Sequence, residues 1–286
     1  MLGFWQFVNQ RTFGFKLLGL VKHPVYEAGT SIVNAGDFGR WIRAYGAFSH
    51  PNVLGGYLII SLILTILLLS TSKNKRLITM FRVFILFDAV GIFLTFSKSA
   101  WLSLLLTLFV VYIFATSGDH KKILKAITPI AVIGLLLLVL YRPLVATRVF
   151  QKTSNEIEST TDRMQGYSES LDIIQNNALL GVGISNYTFA VRNIDKNRNI
   201  WEYQPVHNVP LLILAEIGII GLLLLFGVFL FYIKFFGKNT SVNTLFWLFP
   251  LTPFLLFDHF FWSSYIGILL FGAFVALVAK FLTQKT

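Results

Sequence analysis

Residues 202–221 read EYQPVHNVPLLILAEIGIIG, and the apolar run that opens at Val209 continues to Phe236. A run of that length exceeds the roughly 20 residues a helix needs to cross the hydrocarbon core of a bilayer, so this stretch decides the fold class. Its start is marked chemically. Pro210 suits the first turn of a helix, where a backbone N–H is not needed, and Asn208 is a good N-cap, which predicts a helix beginning just after His207. The histidine then stands at a helix N-terminus at the membrane surface. Such a place attracts anions, and a neutral imidazole there can act as a base. Spacing alone leaves two readings of His207 open, a catalytic base or an interfacial residue that borders a span. Glu216 lies nine residues on, which at about 100° per residue turns it away from His207. A carboxylate inside a span is costly in lipid, so Glu216 is expected inside the bundle.

The rest of the chain agrees with a membrane protein. Of its 286 residues 55% are hydrophobic and only 13% charged, with a mean hydropathy of +0.70, too apolar for a soluble domain. The 29 Phe, 10 Tyr and 6 Trp suit lipid-facing and interfacial positions. Seven apolar segments follow one another: Val53–Ser70, Leu77–Phe96, Ala100–Thr116, Ile123–Tyr141, Val209–Phe236, Leu245–Phe257 and Tyr265–Leu282. The sixth is short and holds Pro250 and Pro253, which predicts a kink or a break. The fold class is therefore all-α, a polytopic transmembrane helix bundle. With no cysteine, disulfides, thiol catalysis and cysteine-ligated metals are excluded. A net charge of +11 would suggest nucleic acid in a soluble protein, but in a membrane chain it reports topology.

That topology follows from the short loops. TSKNKR (Thr71–Arg76), SGDHKK (Ser117–Lys122), GKNTSVNT (Gly237–Thr244) and the tail with Lys280 and Lys285 fall on one side if seven spans alternate, and Lys and Arg mark that side as cytoplasmic. The organisation expected is an extracytoplasmic or interfacial segment (1–52), four transmembrane helices (53–141), a large extracytoplasmic loop (142–208), and about three further helices with a short cytoplasmic tail (209–286). The long loop is itself basic, but long loops translocate with little regard to charge. Within it QKTSNEIESTTD (Gln151–Asp162) reads as flexible, whereas Met164, Tyr167, Leu171 and Ile174 recur at helical spacing. A short amphipathic helix on the membrane surface is expected, ending near GVG (Gly181–Gly183). The opening, MLGFWQFVNQRTFGFKLLGLVKHP, is too interrupted for a span or a signal peptide. An outward N-terminus without an export signal implies upstream spans, the alternative being a first span that inserts as a reverse anchor.

Other ionisable residues gather on the outer face. RAYGAFSHPN (Arg43–Asn52) sets Arg43 and His50 just before the first span, FSKSAW sets Lys98 at a turn, Arg163 opens the amphipathic helix, and DHFFWSS adds Asp258 and His259. Separately each has a structural explanation: snorkelling toward lipid phosphates, helix capping by Asp258, and for HPN a helix entry with Pro51 at the first position. Together they describe a cationic outer cavity. No GxxxxGK[ST], GxGxxG, HExxH or Asp-x-Asp occurs, so ATP-driven phosphoryl transfer and metalloprotease chemistry lack support.

With these segments in order, the chain resembles the O-antigen ligase and polymerase family, on four stretches: RAYGAFSHPNVLGGYL, FSKSAWLSL, DRMQGYSESLDII through NALLGVGISNY, and VHNVPLLILAEIGIIGLL. The family usually carries additional N-terminal spans. The resemblance implies a glycosyltransferase that moves a polyprenyl-diphosphate-linked glycan to an acceptor hydroxyl on the extracytoplasmic face of the bacterial inner membrane, in surface polysaccharide biosynthesis. It implies His207 as catalytic base, Arg163, Arg43 and Lys98 as diphosphate ligands, and supporting places for Asn208, Glu216, His50, Asp258 and His259. No metal and no cofactor is implied. The partners are the lipid-linked donor, a glycan, lipid or protein acceptor and the membrane lipids, without nucleic acid. At Lys98 the family often has arginine, and lysine keeps the charge without the bidentate fork. A lipid-glycan or small-solute transporter and an inactive truncated relative are the alternatives.

Overall fold

The structure, a computed structural model, describes residues 1–27, 29–114, 120–150, 153–236 and 244–283. Parts of the basic turns (Ser117–Asp119, Gly237–Asn243), Lys285, and Gln151 and Lys152 of the polar loop stretch lie outside the described residues. The described chain is about 74% helical with almost no sheet, an all-α polytopic arrangement that carries one small hairpin. Five helices are long and apolar enough to cross a membrane, and two shorter apolar helices, Lys98–Ile113 and Thr244–Phe257, accompany them. These seven coincide with the seven apolar segments of the sequence. The chain divides into two compact units, Met1–Ile157 with Phe249–Leu251, and Glu158–Leu248 with Thr252–Thr286.

In the first unit the helices are α1 (Leu2–Asn9), α2 (Pro51–Thr71), α3 (Lys75–Leu94), α4 (Lys98–Phe114), α5 (His120–Leu140) and α6 (Arg142–Phe150). Helix α2 is central: its most apolar window is 67% buried against 33% for α3, so it is apolar all round because protein surrounds it. The antiparallel hairpin pairs β1 (Ile32–Asn34) with β2 (Arg40–Ile42), Val33 opposite Trp41. Helix α1 docks on the end of this hairpin through amides. The Gln6 side chain donates to the Gly46 carbonyl and accepts from the N–H groups of Tyr45 and Gly46, while Gln10 accepts from the Ile42 N–H at 2.7 Å. Its apolar Phe4, Trp5 and Val8 face outward. The opening segment is thus a short surface helix that turns Gln6 and Phe7 inward. Phe7, Val33, Ala44, Leu54, Phe93, Leu94, Phe96 and Leu144 form the core beneath it.

The second unit holds α7 (Ser154–Asn176) from Glu158 onward, α8 (Tyr187–Ile194), α9 (Val209–Phe236), α10 (Thr244–Phe257, apart from its turn Phe249–Leu251), α11 (Phe260–Ser263) and α12 (Tyr265–Thr283). The stretch expected to be flexible, from Ser154 onward, is the first half of α7, so the surface helix is longer than the apolar positions announce. Periodicity marks only the part that packs, and polar helix propensity carries the rest. Arg163 accordingly stands mid-helix instead of opening it. Ile173, Tyr187, Val191, Val206, Leu212 and Ala215 make the core of this unit.

Helix α9 is not continuous. At Gly218 the backbone takes φ 62°, ψ −170°, a conformation reserved in practice for glycine. The chain before α8 fills the break. Ile219 and Ile220 donate to the carbonyls of Ala178 and Leu179, and the carbonyls of Ala215 and Glu216 accept from Val182 and Gly183, all between 2.8 and 3.1 Å. The bonds that a continuous helix would make from 219 to 215 and from 220 to 216 are therefore replaced one for one. Gly218 lies about 14 Å along the axis from Val209, at ~1.5 Å per residue. At such a depth in lipid, irregular backbone survives only when protein satisfies it.

Candidate functional site

Asn208 caps α9: its Oδ1 accepts the Leu211 N–H at 3.0 Å, and its Nδ2 donates to the Leu256 carbonyl at 3.2 Å. Both ends of the amide are thereby used, so Asn208 positions His207 through the backbone and not by touching its ring. The capped helix end presents His207 to the turn that follows α10. There His259 meets it, the two imidazoles edge to face with centroids 4.9 Å apart. Nδ1 of His259 lies 2.5 Å from Oγ of Ser263, and the His259 N–H donates to Asp258 at 2.8 Å. Among the described residues the His207 ring has no hydrogen-bond partner.

Burial disfavours the charged form of both rings. Burial lowers the His207 pKa to about 4, helped by His259 and by Arg163 and opposed by Asp258. His259 is lowered by burial and partly restored by Asp258. A neutral imidazole accepts a proton, so His207 is in its basic form at neutral pH. Arg163, half-buried on α7, is in no ion pair among the described residues, and its charge is felt at His207. Below α7, Arg198 bonds Glu169 at 2.6 Å and Asp195 at 3.0 Å, fastening the turn before α9 to the helix that carries Arg163.

Glu216 is 5% exposed. Its Oε2 accepts from the Trp262 indole N–H at 2.8 Å. Asp258, equally buried, precedes His259.

The remaining sequence-derived residues lie in the first unit. Arg43 is buried, donating Nε to the Thr95 carbonyl at 2.7 Å and Nη2 to Asn52 Oδ1 at 2.6 Å. Arg148 likewise donates to the Phe96 carbonyl at 2.9 Å, so two arginines hold the carbonyls of the sharp turn between α3 and α4, where Phe96 adopts φ 46°. His50 is the N-cap of α2, its Nδ1 accepting the Asn52 N–H with Pro51 at the first helical position, and its Nε2 lies 2.8 Å from Ser31 Oγ. Lys98 is the first residue of α4, half-buried. Sequence reasoning missed Trp262 and Ser263 as individual participants, although DHFFWSS flagged their stretch. It also missed the pairing of Gly181 with Gly218, for which two glycines in otherwise bulky apolar surroundings were the available signal.

The sequence profile described as O-Antigen ligase matches residues 83–226, just over half of the 286-residue chain. The chain belongs to the O-antigen ligase family. Membership makes it a multi-pass membrane enzyme of O-antigen ligase type, active in polysaccharide biosynthesis. No curated protein and no solved structure matches the chain. The O-antigen ligase match contains Lys98, Arg163, His207, Asn208 and Glu216, together with both sides of the break in α9; Arg43, His50, Asp258 and His259 lie outside it. Among the described residues no group of three or more His, Cys, Asp or Glu side chains is arranged to hold a metal ion.

Proposed function

We propose that this O-antigen ligase-type enzyme transfers a glycan from a polyprenyl-diphosphate carrier to an acceptor hydroxyl at the outer face of the bacterial inner membrane, with His207 as general base. The observation that carries this reading is a neutral imidazole at the capped N-terminus of α9, without a hydrogen-bond partner among the described residues and within the field of Arg163. The acceptor oxygen attacks the anomeric carbon and its proton passes to His207. The bond from that carbon to the diphosphate oxygen breaks, and the electron pair leaves with the polyprenyl diphosphate. Arg163 balances the charge that develops there, its planar guanidinium matching paired phosphate oxygens. A general base in such a step contributes about 10²–10⁴-fold. The chemistry asks for neither metal nor nucleotide. The acceptor hydroxyl belongs to a growing glycan, a lipid core or a protein, and the stretches RAYGAFSHPN and DHFFWSS favour the growing glycan.

A span broken near its middle also occurs in transporters, where the gap receives substrate. Here the four backbone bonds across Gly218 are made by residues 178–183 of the same chain, so the break is filled by protein, which favours the enzyme.

The test is transfer in nanodiscs with a polyprenyl-diphosphate oligosaccharide, comparing the wild type with His207→Ala and Arg163→Ala. Lengthened glycans that disappear in a folded His207→Ala protein support the base, and a raised donor KM in Arg163→Ala supports the diphosphate contact. Transfer that His207→Ala leaves intact removes the mechanism.

A further inference from the structure

We infer that Glu216 is a positioning residue of the transfer reaction, fastening the segment that carries His259 to the break in α9 and so holding His259 against His207. The inference rests on the reading of His207 as base.

Helix α11 is a single turn of four residues, Phe260–Ser263. A helix that short does not hold itself together in isolation, so tertiary ties set where it lies. His259 and Ser263, four residues apart, stand on one side of this turn and are joined by the 2.5 Å contact of Nδ1 with Oγ. Between them Trp262 packs against the core of the unit and donates its N–H to Glu216 at 2.8 Å. That bond spans 46 residues of sequence and ties the turn carrying His259 directly to α9.

The other end of the tie is immobile for a separate reason. Glu216 is the last residue but one before the non-helical Gly218, and its carbonyl accepts the Gly183 N–H at 2.8 Å. The side chain holds α11 and the main chain holds the inserted loop, so the carboxylate cannot slide along the helix. The distance from Glu216 to His207 along α9 matters little, because the influence runs through Trp262 and His259 and not along the helix. A carboxamide in place of the carboxylate keeps an acceptor for the indole N–H, and an aliphatic side chain does not.

The experiment uses the full chain in nanodiscs with a polyprenyl-diphosphate oligosaccharide. It compares Glu216→Gln, Glu216→Leu, Trp262→Phe and the Glu216→Leu/Trp262→Phe double variant, with His207→Ala alongside. Misplacing a catalytic contact by an ångström costs on the order of 10²-fold. Glu216→Leu and Trp262→Phe are therefore expected to lower kcat by about 10- to 100-fold with donor KM changed less than about twofold, whereas Glu216→Gln keeps at least about a third of kcat. The double variant falls no further than the worse single one, because both remove the same bond. A readout independent of transfer is the rate at which diethyl pyrocarbonate modifies His259, followed by peptide mass spectrometry, which rises in the Leu and Phe variants. Equal losses in Glu216→Gln and Glu216→Leu overturn the inference, as does Trp262→Phe with unaltered kcat and unaltered His259 reactivity. If Glu216→Leu does not fold, Trp262→Phe still removes the single N–H while keeping an aromatic ring. Normal transfer by His207→Ala removes the reading of the base but not the tie, which the His259 modification rate reports by itself.

Discussion

His207 titrates where its surroundings put it, and burial puts it low, at about 4. The folded-state value lies below the ordinary 6.5, so the neutral form is kept as pH falls through 6.5 and is lost only near 4. With His207 as the base, the acid limb of kcat/KM for transfer is expected near pH 4 to 5 instead of near 6.5, and an acid limb at 6.5 or above contradicts a buried His207. The same shift acts on stability with the opposite emphasis. Between about pH 6.5 and 4 the unfolded chain binds a proton at this residue that the folded chain does not, so folding weakens as pH falls through that window. At the other end of the loop, Arg198 bridges Glu169 and Asp195 with side-chain exposures of 17%, 12% and 39%. Solvent screens partly exposed pairs of this kind, so they add little to global stability. Arg198→Ala is expected to speed proteolytic cleavage between residues 195 and 203 in detergent without altering the thermal midpoint of the helices.

At the scale of elements, the joint in α9 makes the sharpest expectation. A Cβ on Gly218 would stand 2.4 Å from the Leu179 oxygen, and one on Gly181 would stand 2.4 Å from the Glu216 oxygen. Both collisions are with backbone that is itself held by hydrogen bonds, and both glycines have positive φ, so neither strain relaxes locally. Gly218→Ala and Gly181→Ala are each expected to cost more than about 4 kcal/mol, the range of substitutions that break a packed backbone site, and to appear as lost yield of folded protein in detergent. Gly227, further along the same helix, has open space around its missing Cβ. Gly227→Ala is expected to be neutral or to stabilise by up to about 1 kcal/mol, and equal damage by Gly227→Ala and Gly218→Ala would show that the joint is not special. The geometry also shows why one long apolar run reads as a single span: the break substitutes for each helical bond it interrupts, so hydropathy is unaffected by it.

The whole molecule has no cysteine, so any thiol introduced is the only one present. The proposed orientation places the turn between α2 and α3 inside and the segment from α8 to the start of α9 outside. In intact cells, a membrane-impermeant maleimide is therefore expected to label Asn193→Cys and to spare Lys73→Cys until the membrane is opened. The reverse pattern would invert the topology and move His207 to the cytoplasmic side.

The elements legible in the chain were those set by neighbouring residues. Seven apolar runs, the Asn208 cap, the entry of α2 at His50 and Pro51, and the membership of a glycan-transferring family all rest on patterns within a few tens of residues, because hydropathy, capping and helical period are local properties. What the tertiary structure decided lies between residues far apart in sequence. His207 faces His259 across 52 positions, Glu216 holds Trp262 across 46, and Ala178–Gly183 fills a gap at Gly218. Arg43, which the resemblance offers as a diphosphate ligand, braces the carbonyl of Thr95, 52 residues away. No pattern in a single chain records such pairings, since they depend on how elements close upon one another, and a buried polar group takes the partner that closure brings to it.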